Sequence, residues 1–336
     1  MSRFPRRLTG GRRLSSLLVM LIGVGLATAA AAAPRVATDI APVHSLVTQV
    51  MAGVDTPTLV IQRGASPHNY SLRPSEAGAL EEADVVFWVG SSLTPWLTGA
   101  LDNLAADARD VALLDAEGTQ RRGFRERVLA ADGHDDHGDH DGHEGHGSHE
   151  SNDDHDGHAG HDHAGVDPHA WLDPVNARYW LGVIAGTLAA EDPANAGQYR
   201  ANAEAAQARL DDLTAGMRAT LEPVSDVPFI VFHDAYQYFE HRFGLNTVGA
   251  ISLSDASDPG PAHLDRIRSV VREHEVQCVF AEPQFNPQLV ETVLDGTDAR
   301  TGVLDPLGSD IPAGETFYAR LIEALGERLV DCLAAG

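Results

Sequence analysis

Short apolar runs alternate with segments of helical spacing along most of the chain, in two successive series. Each run has four to six residues and is rich in Val, Ile, Leu and Phe. Such alternation predicts parallel strands covered by helices, and the two series predict two α/β lobes. The predicted strands are 36–40, 58–61, 85–89 and 111–114, then 229–232, 248–253, 276–280 and 301–304. The predicted helices are 45–51, 74–82, 95–104, 235–243, 261–274, 287–294 and 316–332.

An alanine-rich segment between the two series predicts the longest helix. Asp192 can serve as its N-cap, Pro193 suits the first turn, and Pro223 ends it. At 1.5 Å per residue, a helix over 193–221 is about 43 Å long, roughly the width of a domain. It is either a stiff rod between two lobes or a long surface helix within one lobe.

The length of 336 residues also favours two domains, since a domain has roughly 150 residues. We expect a first lobe at 34–192, a linking helix at 193–222 and a second lobe at 223–336.

Residues 1–33 have the pattern of a secretory signal peptide: five arginines, an apolar run at 14–26 and an alanine-rich tail. We expect export and cleavage near residues 31–33, by the general or the twin-arginine route. The alternative is an uncleaved anchor, because about 20 apolar residues can span a bilayer.

The chain is strongly acidic, with a formal net charge of −25. Because residues 1–33 hold five arginines and no acidic residue, the remainder carries −30. Phosphate binding needs a basic face, so nucleic acid is excluded as a partner, and attraction of cations is the natural consequence.

The segment 132–163 differs from the rest in composition. Its 32 residues include 10 His, 11 Asp or Glu and 7 Gly, with no large apolar side chain, so we expect a mobile loop. Imidazoles at this density bind metals such as zinc, copper or nickel, although more weakly than a preformed pocket. The auxiliary ligands predicted here are His134, His137, His140, His143, His146, His149, His155, His158, His161 and His163.

Cys278 and Cys332 are the only cysteines. In an oxidising compartment two cysteines favour one disulfide, which here joins a predicted strand to the last predicted helix. Two buried free thiols are the alternative.

Of the seven histidines outside the insert, three occupy positions suited to a common site. His68 lies in the loop after the second strand, His169 follows the insert, and His233 ends the strand 229–232. Asp305 ends the strand 301–304. Ligands gather at the carboxyl ends of parallel strands, so we expect these four residues in a cleft between the lobes.

Three imidazoles and one oxygen suit tetrahedral zinc, whereas manganese prefers more oxygen ligands. The remaining histidines are expected on helix surfaces, except that His44 either lines the cleft floor or caps a helix. The three expected on surfaces are His241, His263 and His274.

Five segments carry a resemblance to one family. Residues 64–75 (GASPHNYSLRPS), 167–172 (DPHAWL) and 232–236 (FHDAY) resemble its three histidine motifs, and 280–285 (FAEPQF) and 304–308 (LDPLG) match it too. The family is that of the periplasmic solute-binding proteins of bacterial zinc and manganese ABC importers. The likeness covers essentially the whole chain after residue 33.

The resemblance implies two α/β lobes joined by one rigid helix, with zinc held in the cleft between them. His68, His169 and His233 match the family's histidine ligands, and the fourth ligand is Asp305 or water. Some zinc-binding relatives have a glutamate where Pro67 stands, so that ligand is absent. Glu282 is expected to orient an imidazole ring through a hydrogen bond.

Two functions follow from these observations. The first is capture of Zn²⁺ in the periplasm by a monomer and delivery to a membrane permease, with the insert assisting capture and no enzyme activity. The second is a zinc hydrolase, because three histidines and one open position also describe a hydrolytic site. No His-Glu-x-x-His motif is present, which favours capture.

Overall fold

The computed structural model describes residues 1, 32–125, 165–252 and 259–334. The His-rich insert at 132–163 and almost all of the predicted signal peptide lie outside the described residues. Within the described ranges, no helix is both long and apolar enough to cross a membrane.

Four parallel strands form the first sheet, in the order β2-β1-β3-β4. Every residue of the central strand β3 is buried, as expected where helices cover both faces of a parallel sheet. The strands are β1 (Val36–Thr38), β2 (Thr58–Leu59), β3 (Val85–Trp88) and β4 (Arg109–Ala112). The helices are α1 (Ala41–Met51), α2 (Pro74–Glu81) and α3 (Pro95–Leu104).

The second sheet repeats this arrangement, with parallel strands in the order β6-β5-β7-β8. Its strands are β5 (Phe229–His233), β6 (Thr247–Ser252), β7 (Cys278–Ala281) and β8 (Arg300–Val303). Its helices are α6 (Gln237–Phe243), α7 (Pro261–Glu273), α8 (Pro287–Leu294) and α9 (Phe317–Leu333). In each sheet the chain passes first to one side of the leading strand and then to the other. This reversal opens a crevice at the carboxyl ends of the two central strands.

Two consecutive helices, α4 (Pro174–Glu191) and α5 (Ala196–Leu221), connect the sheets. The long helix α5 packs against α1 of the first lobe and α9 of the second. One hydrophobic core runs through both lobes, from Val36 in β1 to Phe229 in β5, with Trp180 and Tyr199 fully buried between them. The fold is therefore the expected pair of parallel-sheet lobes joined by a long helix.

The helical connection differs in two details from the sequence-based expectation. Helix α4 was not predicted, and α5 begins at Ala196 rather than at Pro193. Asp192 is not the N-cap of α5. Its carboxylate accepts hydrogen bonds from Asn195 and Tyr199 instead, and so stabilises the turn between the two helices.

The predicted disulfide is present and links Cys278 of β7 to Cys332 of α9. The described residues contain no free cysteine. Both cysteines are buried, so the bridge fastens the last helix to the second sheet from inside the core.

Candidate metal centre

Three imidazoles from distant parts of the chain converge in one place. One ring nitrogen each of His68, His169 and His233 lies within 4.8 Å of the other two. The ring centroid of His169 is 5.5 Å from that of His68 and 5.2 Å from that of His233. Tetrahedral zinc with bonds of about 2.0–2.1 Å places its ligand nitrogens about 3.4 Å apart. The cluster is therefore close to the spacing that a zinc ion requires.

The first lobe contributes His68 from the loop after β2. Trp96, in the first turn of α3, packs against this loop. Its indole Nε1 donates a hydrogen bond to the Pro67 carbonyl oxygen at 2.8 Å. The rings of Tyr70 and Trp96 also lie 5.7 Å apart, between centroids. Contacts on both sides of His68 thus fix the backbone that carries it.

His169 precedes a single 3₁₀ turn, Ala170–Leu172, which leads through Asp173 into α4. The indole of Trp171 donates to the Pro306 carbonyl oxygen at 2.9 Å, and the Tyr318 hydroxyl donates to the Trp171 carbonyl oxygen at 2.7 Å. Both partners belong to the second lobe. The turn that carries His169 is consequently anchored across the cleft.

His233 is the last residue of β5, beside the carboxyl end of β7. Glu282 follows β7 directly, and its Oε1 lies 2.7 Å from His233 Nδ1. The same oxygen accepts the backbone N–H of His233 at 3.3 Å. The crevice between the two central strands of the second sheet thus holds both residues.

Asp167 stands in the same relation to His169. Its Oδ1 lies 2.8 Å from the ring Nδ1 and accepts the backbone N–H of His169 at 3.0 Å. An ionised carboxylate only accepts hydrogen bonds, so Nδ1 is the protonated nitrogen in both His169 and His233. Their Nε2 atoms are then left with lone pairs, as in carboxylate–histidine–zinc triads.

The surroundings of His169 agree with this assignment. Its Nε2 is buried and has no hydrogen-bond partner among the described residues, which is unusual for a buried polar atom. A cation that accepts the lone pair would satisfy it. The imidazoles face a cavity of about 20 Å³, which is roughly the room that one water molecule needs. Its apolar walls include Trp171 and Phe285.

Asp305 is placed differently from the three histidines. It is buried close to the cavity, but it does not belong to the cluster of ligand atoms within 4.8 Å of one another. Oδ1 accepts hydrogen bonds from Gln284 Nε2 and Leu307 N, and Oδ2 accepts two from Ser309. A carboxylate has about four acceptor positions, and all four are engaged here.

The structure separates the other histidines from this centre. His44 lies within α1, where Nε2 is 3.1 Å from the Pro57 carbonyl oxygen and burial lowers the pKa of the imidazole. His241 is exposed on α6, and His263 Nε2 is 3.3 Å from the Ala250 carbonyl oxygen. His274 follows α7 directly. None of them belongs to the described metal cluster.

Side chains of α6 connect the two lobes beside the histidines. Gln237 Nε2 donates to Asp167 Oδ2 at 3.2 Å, and the Tyr238 hydroxyl donates to the Asp167 backbone oxygen at 2.9 Å. Arg125 forms ion pairs with Asp234 and with Glu240, the latter at 2.7 Å between Nη1 and Oε2. The helix after His233 therefore also holds the segment that carries His169.

The role of Asp167 was not predicted from the sequence. The residue was part of a recognised motif, but its carboxylate was not assigned to an imidazole. The available signal was its place two residues before His169, which lets one carboxylate reach both the backbone and the ring of the histidine.

A protein-family model described as zinc-uptake complex component A, periplasmic, matches residues 36–332. Two relatives are each called high-affinity zinc uptake system protein ZnuA. The protein of Brucella suis biovar 1 is 48% identical over 306 residues, which cover 89% of this chain and 91% of the relative. The protein of Paracoccus denitrificans is 46% identical over 328 residues, covering 96% and 99%.

Solved structures show the same architecture. A crystal structure of a ZnuA superposes with a TM-score of 0.70 at 22% identity, covering 89% of this chain and 99% of the other. The periplasmic zinc binding protein TroA of Treponema pallidum gives a TM-score of 0.71 at 19% identity, again covering 89% and 99%. At such identities the likeness concerns the fold alone.

Proposed function

The chain belongs to the family of periplasmic zinc-uptake complex component A proteins, and we propose on this basis that it binds Zn²⁺ for high-affinity uptake. Its relatives of 46–48% identity carry the name of zinc uptake proteins. The ion is the cargo, held in the cleft and delivered to the membrane permease of an ABC importer.

The convergence of His68, His169 and His233 is the observation that carries this proposal. We assign these three imidazoles as zinc ligands. Neutral imidazole is a good ligand for zinc, and manganese prefers a site richer in oxygen. Asp167 and Glu282 support the assignment, because each accepts the Nδ1–H of one ring, as the outer carboxylates of carboxylate–histidine–zinc triads do.

A hydrolase would need more than a zinc site with an open position. It also needs a base that is free to activate water. Asp305, next to the cavity-lining Pro306, accepts four hydrogen bonds and is not free for this role. The family is a transport component, so we propose binding and release without catalysis.

The His-rich insert is proposed to assist capture. Its 10 histidines and 11 acidic residues attract cations. The described residues resume at position 165, just after the insert, and His169 lies four residues further along the chain. Ions collected by the insert are therefore released near the tighter site.

The family is periplasmic, which agrees with the pattern of a signal peptide at 1–33. We propose that this peptide is removed near residues 31–33. The three imidazoles and their carboxylate partners all come from one chain, so a monomer suffices for binding.

Competition titration against a chelator of known zinc affinity tests the assignment of the site. Deletion of 132–163 is expected to leave one tight site, because the three imidazoles lie outside the deleted segment. In that background, His68→Ala, His169→Ala and His233→Ala each lower zinc affinity by more than about 100-fold, beyond the effect of losing an outer partner.

His241→Ala, an exposed histidine of α6, is the matched control and should bind zinc like the parent. Retention of tight binding by His169→Ala, or its loss on deletion of 132–163 alone, contradicts the proposed site. Growth of the host's deletion mutant under zinc chelation then tests uptake: the intact gene restores growth and the His169→Ala gene does not.

A further inference from the structure

The amide of Gln284 has an orientation that its surroundings determine. Its Nε2 donates a hydrogen bond to Asp305 Oδ1 at 2.9 Å. Because a carboxylate accepts and never donates when ionised, the nitrogen of the amide must face Asp305. The amide oxygen, Oε1, is consequently turned away from Asp305.

Two acceptor atoms at the metal cavity lack donors. Gln284 Oε1 and Glu282 Oε2 are both buried without a hydrogen-bond partner among the described residues. Both residues line the cavity that the three histidines face. A buried acceptor without a donor is energetically unfavourable, so two such atoms at one cavity indicate that a donor is bound there in the working state.

Zinc could satisfy such an acceptor only by ligating it directly, and Glu282 lies outside the group of ligand atoms that could hold the ion. The cluster of ligand atoms within 4.8 Å of one another includes the three imidazoles but neither Glu282 nor Asp305. A zinc-bound water can connect the ion to an acceptor that lies too far away to ligate it. The zinc–oxygen distance is about 2.0 Å, and the distance from that oxygen to the acceptor is about 2.7 Å. Its two hydrogens suffice for Gln284 Oε1 and Glu282 Oε2.

We propose that Gln284 determines the fourth zinc ligand by holding a zinc-bound water, whose hydrogens go to Gln284 Oε1 and Glu282 Oε2. Asp305 then acts as a positioning residue for the Gln284 amide and does not ligate zinc. This inference rests on the proposed function, since it takes His68, His169 and His233 as the other three ligands.

The arrangement has a consequence for the choice of metal. With Asp305 engaged by four hydrogen bonds, the site offers three nitrogens and one neutral oxygen. That set suits zinc, whereas a direct carboxylate would make the site more favourable for manganese. Gln284 thus contributes to selectivity by satisfying Asp305 and by supplying an acceptor for water.

X-ray absorption at the zinc K edge tests the fourth ligand directly. We expect the full mature chain, loaded with one equivalent of Zn²⁺, to show three imidazoles and one oxygen without the carbon scattering of a bound carboxylate. A carboxylate signal overturns the role of Gln284 but leaves the three-histidine site intact. A spectrum without imidazole scattering overturns the proposed function itself.

A variant tests the part played by the amide. Gln284→Leu removes the acceptor for water and is expected to weaken zinc binding about 10-fold in competition titrations. It should also alter the oxygen shell in the absorption spectrum, which a merely structural change elsewhere would not do. Gln288→Leu, the same change at an exposed position of α8, serves as control. Equal affinity and equal spectra for wild type and Gln284→Leu overturn the proposal.

Discussion

Asp167 holds His169 by two hydrogen bonds to a single oxygen, one from the backbone N–H and one from the ring Nδ1. Its other oxygen accepts from Gln237 of the second lobe at 3.2 Å. The carboxylate therefore sets the rotation of one imidazole and also connects the two lobes at the metal centre.

Asp167→Asn is expected to weaken zinc binding by about 10–100-fold, the usual range for a residue that orients a metal-binding histidine. The amide no longer stabilises the ring in the form that presents Nε2 to the ion. Chelator competition measures the effect. Asp212→Asn, at an exposed position of α5, controls for the loss of one negative charge, and equal affinities of the two variants contradict the role of Asp167.

Arg125→Met is expected to lower the free energy of unfolding by about 3 kcal/mol, because it leaves two nearly buried carboxylates without their cation. The side chains of Asp234 and Glu240 are only 11% and 7% exposed. Urea unfolding of the zinc-free protein provides the measurement. Arg109→Met removes an exposed pair with Glu191 and should cost less than about 1 kcal/mol. If both variants lose a similarly small part of the free energy of unfolding, the ion pairs of Arg125 contribute little to stability.

Burial raises the pKa of Asp39 to about 7, against the partial stabilisation of its carboxylate by the backbone N–H groups of Val89 and Ile40. In the unfolded chain this carboxyl ionises near pH 4. Between about pH 4 and 7 the folded protein thus keeps a proton that the unfolded chain has lost. Asp39 therefore makes stability fall as the pH rises through this window, by about 1.4 kcal/mol per unit, and contributes no slope above it.

Urea unfolding of zinc-free protein from pH 4 to pH 8 tests this assignment. Asp39→Asn should remove that contribution to the slope, even if the substitution lowers stability at every pH. Asp107→Asn, which changes an exposed carboxylate, should keep the wild-type slope. Identical slopes in wild type and Asp39→Asn contradict the assignment.

The disulfide between Cys278 and Cys332 encloses a separation of 54 residues. Replacing both cysteines by alanine is expected to lower the free energy of unfolding by about 4 kcal/mol, because the unfolded chain regains the entropy of that loop. Urea unfolding under oxidising conditions measures the change. Zinc affinity should stay within about twofold, since neither cysteine belongs to the metal cluster; a large loss of affinity indicates that the bridge shapes the site.

Most strands and helices were predictable because their apolar runs are short, distinct and bounded by proline or glycine. Helix α4 was not, since ten of its residues are buried and no polar face marks a helical period. Gly182 and Gly186 in its interior further weaken the helical signal. Strand β4 lies two residues earlier than predicted, because Leu113 and Leu114 belong to a 3₁₀ turn that also buries them.

The three histidines were predictable from motifs and strand ends, and the structure brings them together. The hydrogen bonding of Asp305 was not predictable, because it depends on Gln284 from another strand end and on the turn that Ser309 closes. A residue's place at a strand end indicates the cleft. Its hydrogen-bond partners then decide whether its oxygens remain available to an ion.

Gly123 and Val166 pair as an antiparallel bridge, so the chain departs toward residue 126 and returns from residue 164 at neighbouring points. The entropic cost of closing a segment grows only with the logarithm of its length, and closely spaced ends tolerate inserted domains. The two residues of this bridge therefore mark a suitable site for inserting another domain into the chain. A domain grafted between these ends would be attached next to a bridge whose Val166 lies only a few residues from His169.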